Sequence, residues 1–186
     1  IAPEAIPHNL TVGMDFNVDP FCMTVSFTNA QGEKITFDEL YINNTGGTGG
    51  YASFTDKAMM LLLQRYPNLW YQQNVDKDAN VIHDISVRPD MTGIARKTAS
   101  NLTDIAILRK YGVTILGTSN PPVSSRIKVA NMALQKGLWK VTKNCKHLIE
   151  DMEMCVTDEH GELMKDDPKR THILDACTYD VFQDFK

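Results

Sequence analysis

Three aspartates in separate parts of the chain are the side chains best suited to divalent-metal chemistry: Asp15, Asp90 and Asp175. Asp15 lies in an alternating apolar segment, where an ionised carboxylate is costly unless it is paired or bound to metal. Gly13, two residues earlier, leaves room on the same face of a strand. We therefore interpret Asp15 as a metal ligand. The alternative, an aspartate that caps a turn at a strand end, stays open.

Asp90 follows a predicted strand and precedes Gly93. Proline and aspartate before a glycine are also ordinary turn residues, so Asp90 by itself predicts only a turn. Asp84 is a rival ligand, because it lies inside the predicted strand, where the backbone would fix a ligand more rigidly. The sequence pattern alone slightly favours Asp84 over Asp90 as the second ligand.

The third aspartate lies in the last predicted helix. Helical spacing places His172, Asp175 and Tyr179 on one face of that helix, beside an apolar stripe. The stripe consists of Leu174, Cys177, Val181 and Phe185. A solvated helix face is the alternative, but the flanking histidine and tyrosine favour a functional cluster.

Together the three carboxylates would suit two-metal phosphodiester hydrolysis. Two Mg²⁺ or Mn²⁺ ions about 4 Å apart would stabilise the attacking and leaving oxygens. Such hard cations prefer oxygen ligands, which carboxylates supply and thiols or imidazoles do not. The ligands would then be oriented by side chains that lie behind them: Asp19, Asp84 and His172.

The composition fits one soluble globular domain, since the 186 residues are 42% hydrophobic and 23% charged. No apolar run is long enough to span a bilayer, so no membrane partner is expected. The net charge of −4 argues mildly against a strong nonspecific DNA binder, without excluding local basic patches. The four cysteines form no CxxC pair and predict buried free thiols. Because the chain starts at Ile1, we expect a piece of a longer protein.

The predicted elements begin with an antiparallel meander of three strands, at Leu10–Asn17, Phe21–Thr28 and Lys34–Ile42. Further strands are predicted at Asn80–Val87, Val113–Leu116 and Leu138–Val141. Helices are predicted from Ser53 to about Tyr66 and at Thr103–Tyr111, Ser124–Lys136, Asn144–Val156 and Thr171–Phe185. The inward face of the fourth helix would consist of Cys145, Leu148, Ile149, Met152 and Val156. The polar segment Asp158–Asp167 predicts a hairpin tip or a mobile loop.

This order of elements is the one expected of a ribonuclease H-like α/β fold. Such a fold has a mixed sheet, an antiparallel meander plus parallel strands, flanked by helices. Other mixed folds share the order, so the order alone is weak support.

Five segments, in the same order along nearly the whole chain, resemble the nuclease domain of phage terminase large subunits. They are Gly13–Pro20, Asp90–Thr98, Asn120–Asn131, Cys145–Asp151 and His172–Tyr179. The second segment follows a D-x-x-G-x-x-R pattern, and the last an H-x-x-D-A-x-x-Y pattern. The chain departs from the residues common in that family at Met91 and at Cys177-Thr178, but neither position is a proposed ligand.

The resemblance implies a ribonuclease H-like, divalent-metal-dependent endonuclease. It would cut concatemeric viral duplex DNA during genome packaging, with little sequence specificity. Residues 1–186 would form a single nuclease domain, excised from a longer chain whose ATPase motor domain is absent. The implied partners are duplex DNA, a portal protein and a small terminase subunit, in the host cytoplasm. The resemblance also selects Asp90 over Asp84, because Gly93 and Arg96 follow Asp90.

Arg96 and Lys97 are the best candidates for DNA contacts, because they follow the second acid closely. The other candidates are Arg88, Lys128, Lys169 and Arg170. For each of these cations, an ordinary solvated surface charge is the alternative. Two other functions stay open. One is another ribonuclease H-like nuclease, of the junction resolvase or integrase type, and the other is a module that mainly clamps DNA or docks on a portal.

Overall fold

The computed structural model describes residues 9–17, 19–67, 85–94, 102–164 and 166–186. Within these ranges the chain forms a six-stranded sheet and five α-helices. The strands are β1 (Leu10–Asp15), β2 (Phe21–Thr28), β3 (Lys34–Ile42), β4 (Ile85–Pro89), β5 (Thr114–Ile115) and β6 (Trp139–Val141). The helices are α1 (Phe54–Arg65), α2 (Asp104–Lys110), α3 (Val123–Gln135), α4 (Lys146–Met154) and α5 (His172–Phe185).

The sheet has the strand order β5-β4-β1-β2-β3-β6. The first three strands form the predicted antiparallel meander. The later strands add to its two sides in parallel: β4 beside β1, β5 beside β4 and β6 beside β3. This arrangement confirms the predicted ribonuclease H-like α/β fold with a mixed sheet flanked by helices.

Local signals in the sequence explain where several elements begin. The Ser53 side chain accepts a hydrogen bond from the backbone N–H of Asp56 at 3.0 Å, so it caps α1 as predicted. Thr103 caps α2 in the same way, through the N–H of Ala106 at 3.2 Å. The two caps fix the start of each helix on the side of the sheet opposite α5.

Several predicted boundaries were wrong, and β1 ends at Asp15 rather than at Asn17. Strand β4 runs over Ile85–Pro89 and continues beyond Val87, because its residues stay paired with Leu10–Met14 of β1. Residues 80–84 of the predicted strand lie outside the described ranges. Helix α4 ends at Met154, since Cys155 is extended, and Val156 is therefore 57% exposed rather than inward-facing. An isolated bridge between Thr157 and Leu163 makes the following polar segment a hairpin.

The alternation of β1 separates two packing layers. Leu10, Val12 and Met14 are fully or almost fully buried on one face, against apolar residues of α1 and α2. The opposite face carries Thr11, Gly13 and Asp15, and it packs against α5. The predicted alternation is confirmed. Its consequence is that the polar face of the first strand is covered by the last helix.

Helix α5 runs antiparallel to β1 at very short range. A Cβ atom at Gly13 would overlap the carbonyl oxygen of Ala176, so only glycine permits this approach. Thr11 donates a hydrogen bond to the Asp180 carboxylate at 3.0 Å, one helical turn further along α5. The fully buried Lys34 Nζ lies 2.8 Å from the same carboxylate and 2.7 Å from that of Asp184. These contacts fix both the height and the rotation of α5 above the sheet.

The cysteines of the chain are free, and three of them, Cys22, Cys145 and Cys177, are buried, as predicted for free thiols. Cys155 is only partly buried. No helix in the described part of the chain is long and apolar enough to cross a membrane.

Replacing Gly13 with alanine should lower the free energy of unfolding by at least about 1–3 kcal/mol, the usual cost of overpacking. The reason is that the new methyl group meets backbone atoms of α5, which cannot move without shifting the whole helix. Urea denaturation would measure the effect. Gly46→Ala is the matched control, because a Cβ atom there meets nothing within 4 Å. Equal stability of the two variants would contradict the close approach.

Candidate metal centre

Strands β1 and β4 bring two of the three aspartates to the same edge of the sheet. Asp15 is the last residue of β1, not a mid-strand residue as predicted, and Asp90 follows Pro89 at the end of β4. The two strands are parallel neighbours, with Met14 opposite Pro89. The backbone N–H of Asp90 donates to the carbonyl of Met14 at 2.8 Å. Both carboxylates are buried, and they leave the sheet side by side.

The third aspartate reaches this edge from α5. His172, the first residue of the helix, places Nδ1 3.0 Å from Oδ2 of Asp15. Ala176 lies over Gly13, and Asp175 is the residue immediately before it. Asp175 is only 5% exposed. The helix that covers the polar face of β1 therefore delivers both the histidine and the third acid.

Asp15 is partnered by His172. The Asp15 carboxylate raises the pKa of His172, mainly through their hydrogen bond, against the opposing effect of partial burial. The other ring nitrogen, Nε2, lies 3.1 Å from Asn17 Nδ2 and 3.0 Å from the carbonyl of Pro168. A protonated ring donates to Asp15 and to Pro168 at once, which offsets part of the negative charge of the site.

Asp90 is held by Asn120. Asn120 Nδ2 donates to Asp90 Oδ1 at 2.6 Å, while Asn120 Oδ1 accepts from the N–H of Met91 at 2.8 Å. The same Asp90 oxygen also accepts from the N–H of Thr92 at 2.8 Å. The local turn that the sequence indicated is real. This turn also fixes one oxygen of the Asp90 carboxylate, so Asp90 is more than a turn residue.

Asp175 is held by a buried arginine of α3. Arg126 NH2 lies 3.0 Å from Asp175 Oδ1, and NH1 donates to Thr178 Oγ1 at 2.6 Å. The guanidinium also stacks over the Tyr179 ring, 4.2 Å from its centroid. Arg126 is 2% exposed, so this pair is shielded from water. One planar cation thus contacts three residues that lie on one face of α5, at positions 175, 178 and 179.

The three carboxylates act on a common neighbour. The pKa of Tyr179 is raised, first by burial, and the negative charges of Asp90, Asp175 and Asp15 add to the rise while Arg126 opposes it. The charges of all three acids therefore act on one phenol. Even so, no group of three or more His, Cys, Asp or Glu side chains in the described ranges has the spacing of a metal site. The acids converge on one region without forming a closed cage.

The other predicted residues have varied surroundings. Asp84, Arg96 and Lys97 lie outside the described residues. Asp19 is exposed and accepts from the backbone N–H of Asn44 at 3.0 Å, which ties it to the loop after β3. Arg88 is committed to Asp180 and Asp184 at 3.0 and 2.6 Å. That internal ion pair explains why Arg88 does not present its charge as an open DNA contact.

The two basic residues before α5 differ from each other. Arg170 is engaged by three carboxylates, those of Glu150, Asp151 and Asp167, at 3.0, 3.7 and 3.6 Å. Lys169 is exposed, and its backbone carbonyl accepts from the Tyr41 hydroxyl at 3.1 Å. Of the two, Lys169 is the better placed for an external partner.

Sequence comparison settles the family of this domain. A family model described as the terminase RNase H-like domain matches residues 83–183, more than half of the 186-residue chain. The chain belongs to the terminase RNase H-like domain family. Asp90 and Asp175 lie inside the matched region of this terminase domain, and Asp15 precedes it. No curated protein matches the chain in sequence.

Solved structures of phage terminases share the fold. The large terminase of a thermophilic bacteriophage matches with a TM-score of 0.66 at 18% identity, over 96% of this chain and 41% of that one. The nuclease domain of the bacteriophage P22 large terminase gives 0.57 at 15% identity, over 97% and 84%. The large terminase nuclease domain of bacteriophage SPP1, solved with bound Mn, gives 0.57 at 14%, over 98% and 89%. The present chain thus spans less than half the length of the thermophilic phage protein.

Asp151 ends the family-like segment Cys145–Asp151, but the sequence assigned it no role, and the structure leaves it only 5% exposed. The backbone N–H groups of Thr171 and Leu174, at the start of α5, act on its carboxylate, but Oδ2 is buried without a hydrogen-bond partner. Thr171 has a φ of 72°, an unusual value for a β-branched residue, directly before His172. Burial raises the pKa of Asp151 to about 6, although those N–H groups and Arg170 oppose the rise. A polar residue in the middle of an amphipathic helix gave no distinct sequence signal.

Arg126→Met should destabilise this terminase domain by about 3–5 kcal/mol, because it leaves Asp175 buried without its cation. Adding Asp175→Asn should restore part of that loss, since the uncompensated charge is then gone. Urea denaturation of the wild type, both single variants and the double variant gives the coupling directly. Strictly additive effects would show that the two side chains do not depend on each other.

Asp151→Asn should change how stability depends on pH. Because the folded-state pKa of Asp151 lies above its ordinary value, the folded protein takes up a proton before the unfolded chain does. The unfolding free energy of the wild type should therefore rise as the pH falls through about 6, relative to the variant. Above that pH the variant should be at least as stable, because an amide avoids the cost of burying a charge. Parallel stability curves from pH 5 to about 8 would contradict this assignment.

Proposed function

We propose that this terminase domain is a divalent-metal-dependent endonuclease that cuts duplex DNA by phosphodiester hydrolysis, with Asp15, Asp90 and Asp175 as its metal ligands. The observation that supports this most is the adjacency of Asp15 and Asp90 at the ends of two parallel strands, with Asp175 delivered over them by α5. Buried carboxylates in such proximity repel each other, so the arrangement favours a cation.

The residues fit hard divalent cations. All three donors are carboxylates, the ligand type that Mg²⁺ and Mn²⁺ prefer. A pair of such ions, once bound, would stabilise the attacking and leaving oxygens of the phosphodiester. The SPP1 nuclease domain, which shares this fold, was solved with bound Mn. That precedent supports testing Mn²⁺ beside Mg²⁺.

The side chains around the acids would orient them. His172, Asn120 and Arg126 each hold one carboxylate oxygen, which limits the rotation of all three acids. Such preorganisation reduces the rearrangement that cation binding requires. His172 can also carry a proton at Nδ1, beside the ligand that it orients.

A wider context follows from the family. We propose that the domain is the nuclease part of a longer large terminase subunit with an ATPase motor, acting on concatemeric viral DNA in the host cytoplasm. A portal protein and a small terminase subunit would be its packaging partners. The thermophilic phage protein, of which this chain covers 41%, was also solved in complex with ADP. That nucleotide complex supports an ATPase motor in another part of a large terminase chain.

Plasmid digestion tests the nuclease. The wild type should cut supercoiled plasmid with Mn²⁺ or Mg²⁺ and not with EDTA. It should leave a smear rather than discrete fragments, because no base-reading module is recognisable. Asp15→Asn, Asp90→Asn and Asp175→Asn should each lose at least about 100-fold in rate, since a metal ligand is lost.

Asp84→Asn is the matched control for these variants, because it makes the same chemical change in the same segment as Asp90. It should keep most of the activity. If Asp84→Asn is inactive and Asp90→Asn is active, the second ligand is Asp84. Metal-independent cutting, or duplex binding without any cutting, would overturn the proposed reaction.

A further inference from the structure

One hydroxyl close to the candidate metal centre is not used by the fold. Tyr179 is partly buried on α5, one helical turn beyond Asp175. The hydroxyls of Tyr66 and Tyr111 each donate to a carboxylate, but the Tyr179 hydroxyl forms no hydrogen bond within the described part of the chain, where burial and nearby charges alone act on it. The unpartnered buried side-chain oxygens of these ranges do not include it either. The Tyr179 hydroxyl therefore reaches solvent with its proton available to an acceptor.

The Tyr179 ring is held in place by the same cation that holds the third acid. The Arg126 guanidinium lies over the ring, 4.2 Å from its centroid, and its NH2 is 3.0 Å from the Asp175 carboxylate. Arg126 is 2% exposed and also donates to Thr178, so the guanidinium itself cannot turn freely. A cation over the face of an aromatic ring is attracted to it. The ring therefore has a fixed position relative to Asp175.

All three proposed metal ligands act on this phenol, although none of them accepts its proton. The negative charges of Asp90, Asp175 and Asp15 raise the pKa of Tyr179, in that order and after the larger effect of burial. The influence of a charge falls with distance, so the phenol belongs to the same region as the three acids. Each acid already has a hydrogen-bonding partner of its own. These partners are His172, Asn120 and Arg126.

The chemistry of the phenol suits an anionic acceptor from outside the fold. Because the pKa of Tyr179 is raised, its hydroxyl stays protonated at neutral pH and remains a hydrogen-bond donor. It is also neutral, so it adds no negative charge to a region that already holds three carboxylates. A phosphodiester that enters the candidate metal centre brings non-bridging oxygens, which are strong acceptors. The available donor and the expected acceptor therefore match.

We infer that Tyr179 contacts the substrate of the proposed nuclease, and that its hydroxyl donates a hydrogen bond to a non-bridging oxygen of the scissile phosphate. This inference rests on the proposed function and adds a substrate-binding residue to it. Tyr179 forms and breaks no covalent bond, and it keeps its proton while water replaces the leaving oxygen on phosphorus. A donor that is already in position stabilises the negative charge of the transition state. Arg126 is then a positioning residue for Tyr179 as well as for Asp175.

Tyr179→Phe tests this contact, because it keeps the ring over Arg126 and removes only the oxygen. The measurement is single-turnover cutting of a short fluorescent duplex with Mn²⁺, over a range of protein concentrations. The maximal rate should fall at least about tenfold, since removing one donor to a developing anion costs up to about 10²–10³ in rate. The half-saturating protein concentration should stay close to that of the wild type, because the lost interaction is made mainly in the transition state.

Two readouts that do not depend on cutting separate a substrate contact from a structural role. Urea denaturation of metal-free Tyr179→Phe should give the wild-type stability, because the hydroxyl has no partner to lose. The increase of stability with Mn²⁺ concentration, which reports metal affinity, should also be unchanged. Tyr111→Phe is the matched control. It removes a hydroxyl that is bonded to Asp56 on the side of the sheet opposite α5, so it should lower stability and leave the cutting rate of the folded protein unchanged.

The outcomes separate this contact from the nuclease proposal. If the wild type cuts and Tyr179→Phe cuts equally fast, the contact is overturned and the nuclease proposal stands. A slower variant with lower metal-free stability or weaker Mn²⁺ affinity also overturns the contact, because the hydroxyl then supports the fold or the metal rather than the phosphate. If the wild type does not cut the duplex with either Mn²⁺ or Mg²⁺, the nuclease proposal fails and the contact fails with it.

Discussion

Helix α5 approaches β1 at backbone distance because Gly13 has no side chain, and the geometry of the candidate metal centre depends on this approach. In β1, Gly13 is followed by Met14, whose carbonyl accepts a hydrogen bond from the N–H of Asp90, and then by Asp15. One residue before the contact in α5 is Asp175, and a helical turn earlier is His172. A single steric requirement thus sets the separation of elements that are distant in sequence. The buried contacts of Lys34 and Arg88 with Asp180 and Asp184 hold the other end of the helix.

Charge balance is the second condition on the site. Three carboxylates are buried within reach of one tyrosine, and mutual repulsion would destabilise the fold if nothing opposed it. The chain opposes it in three different ways, with a histidine, an amide and an arginine. Of these, Arg126 matters most, because it is a permanent cation in a nearly dry position. Asn120 and Arg126 come from one short stretch at the start of α3, so two acids depend on the placement of the same element.

The sequence predicted the fold well because its signals were local. Alternation in β1, the Ser53 cap and the three-strand meander each follow from neighbouring residues, and the structure confirms them. The helix end at Met154 was missed, because only the extended backbone at Cys155 determines it. For the acids, the sequence named candidates but not their surroundings. Arg126 and Asp151 each belonged to a family-like segment without an assigned role, because their contacts with α5 and the residues before it are not visible in the neighbouring sequence.

Much of the acidic charge of this domain is balanced inside the fold. Carboxylates outnumber basic side chains in the chain, yet those beside α5 form internal ion pairs with Lys34, Arg88, Arg126 and Arg170. Around Tyr41 this balance is incomplete: burial raises the pKa of Tyr41, and the negative charges of Asp151, Asp167 and Asp19 add to the rise. Ion pairs inside the fold, rather than the overall composition, therefore set the local charge around α5.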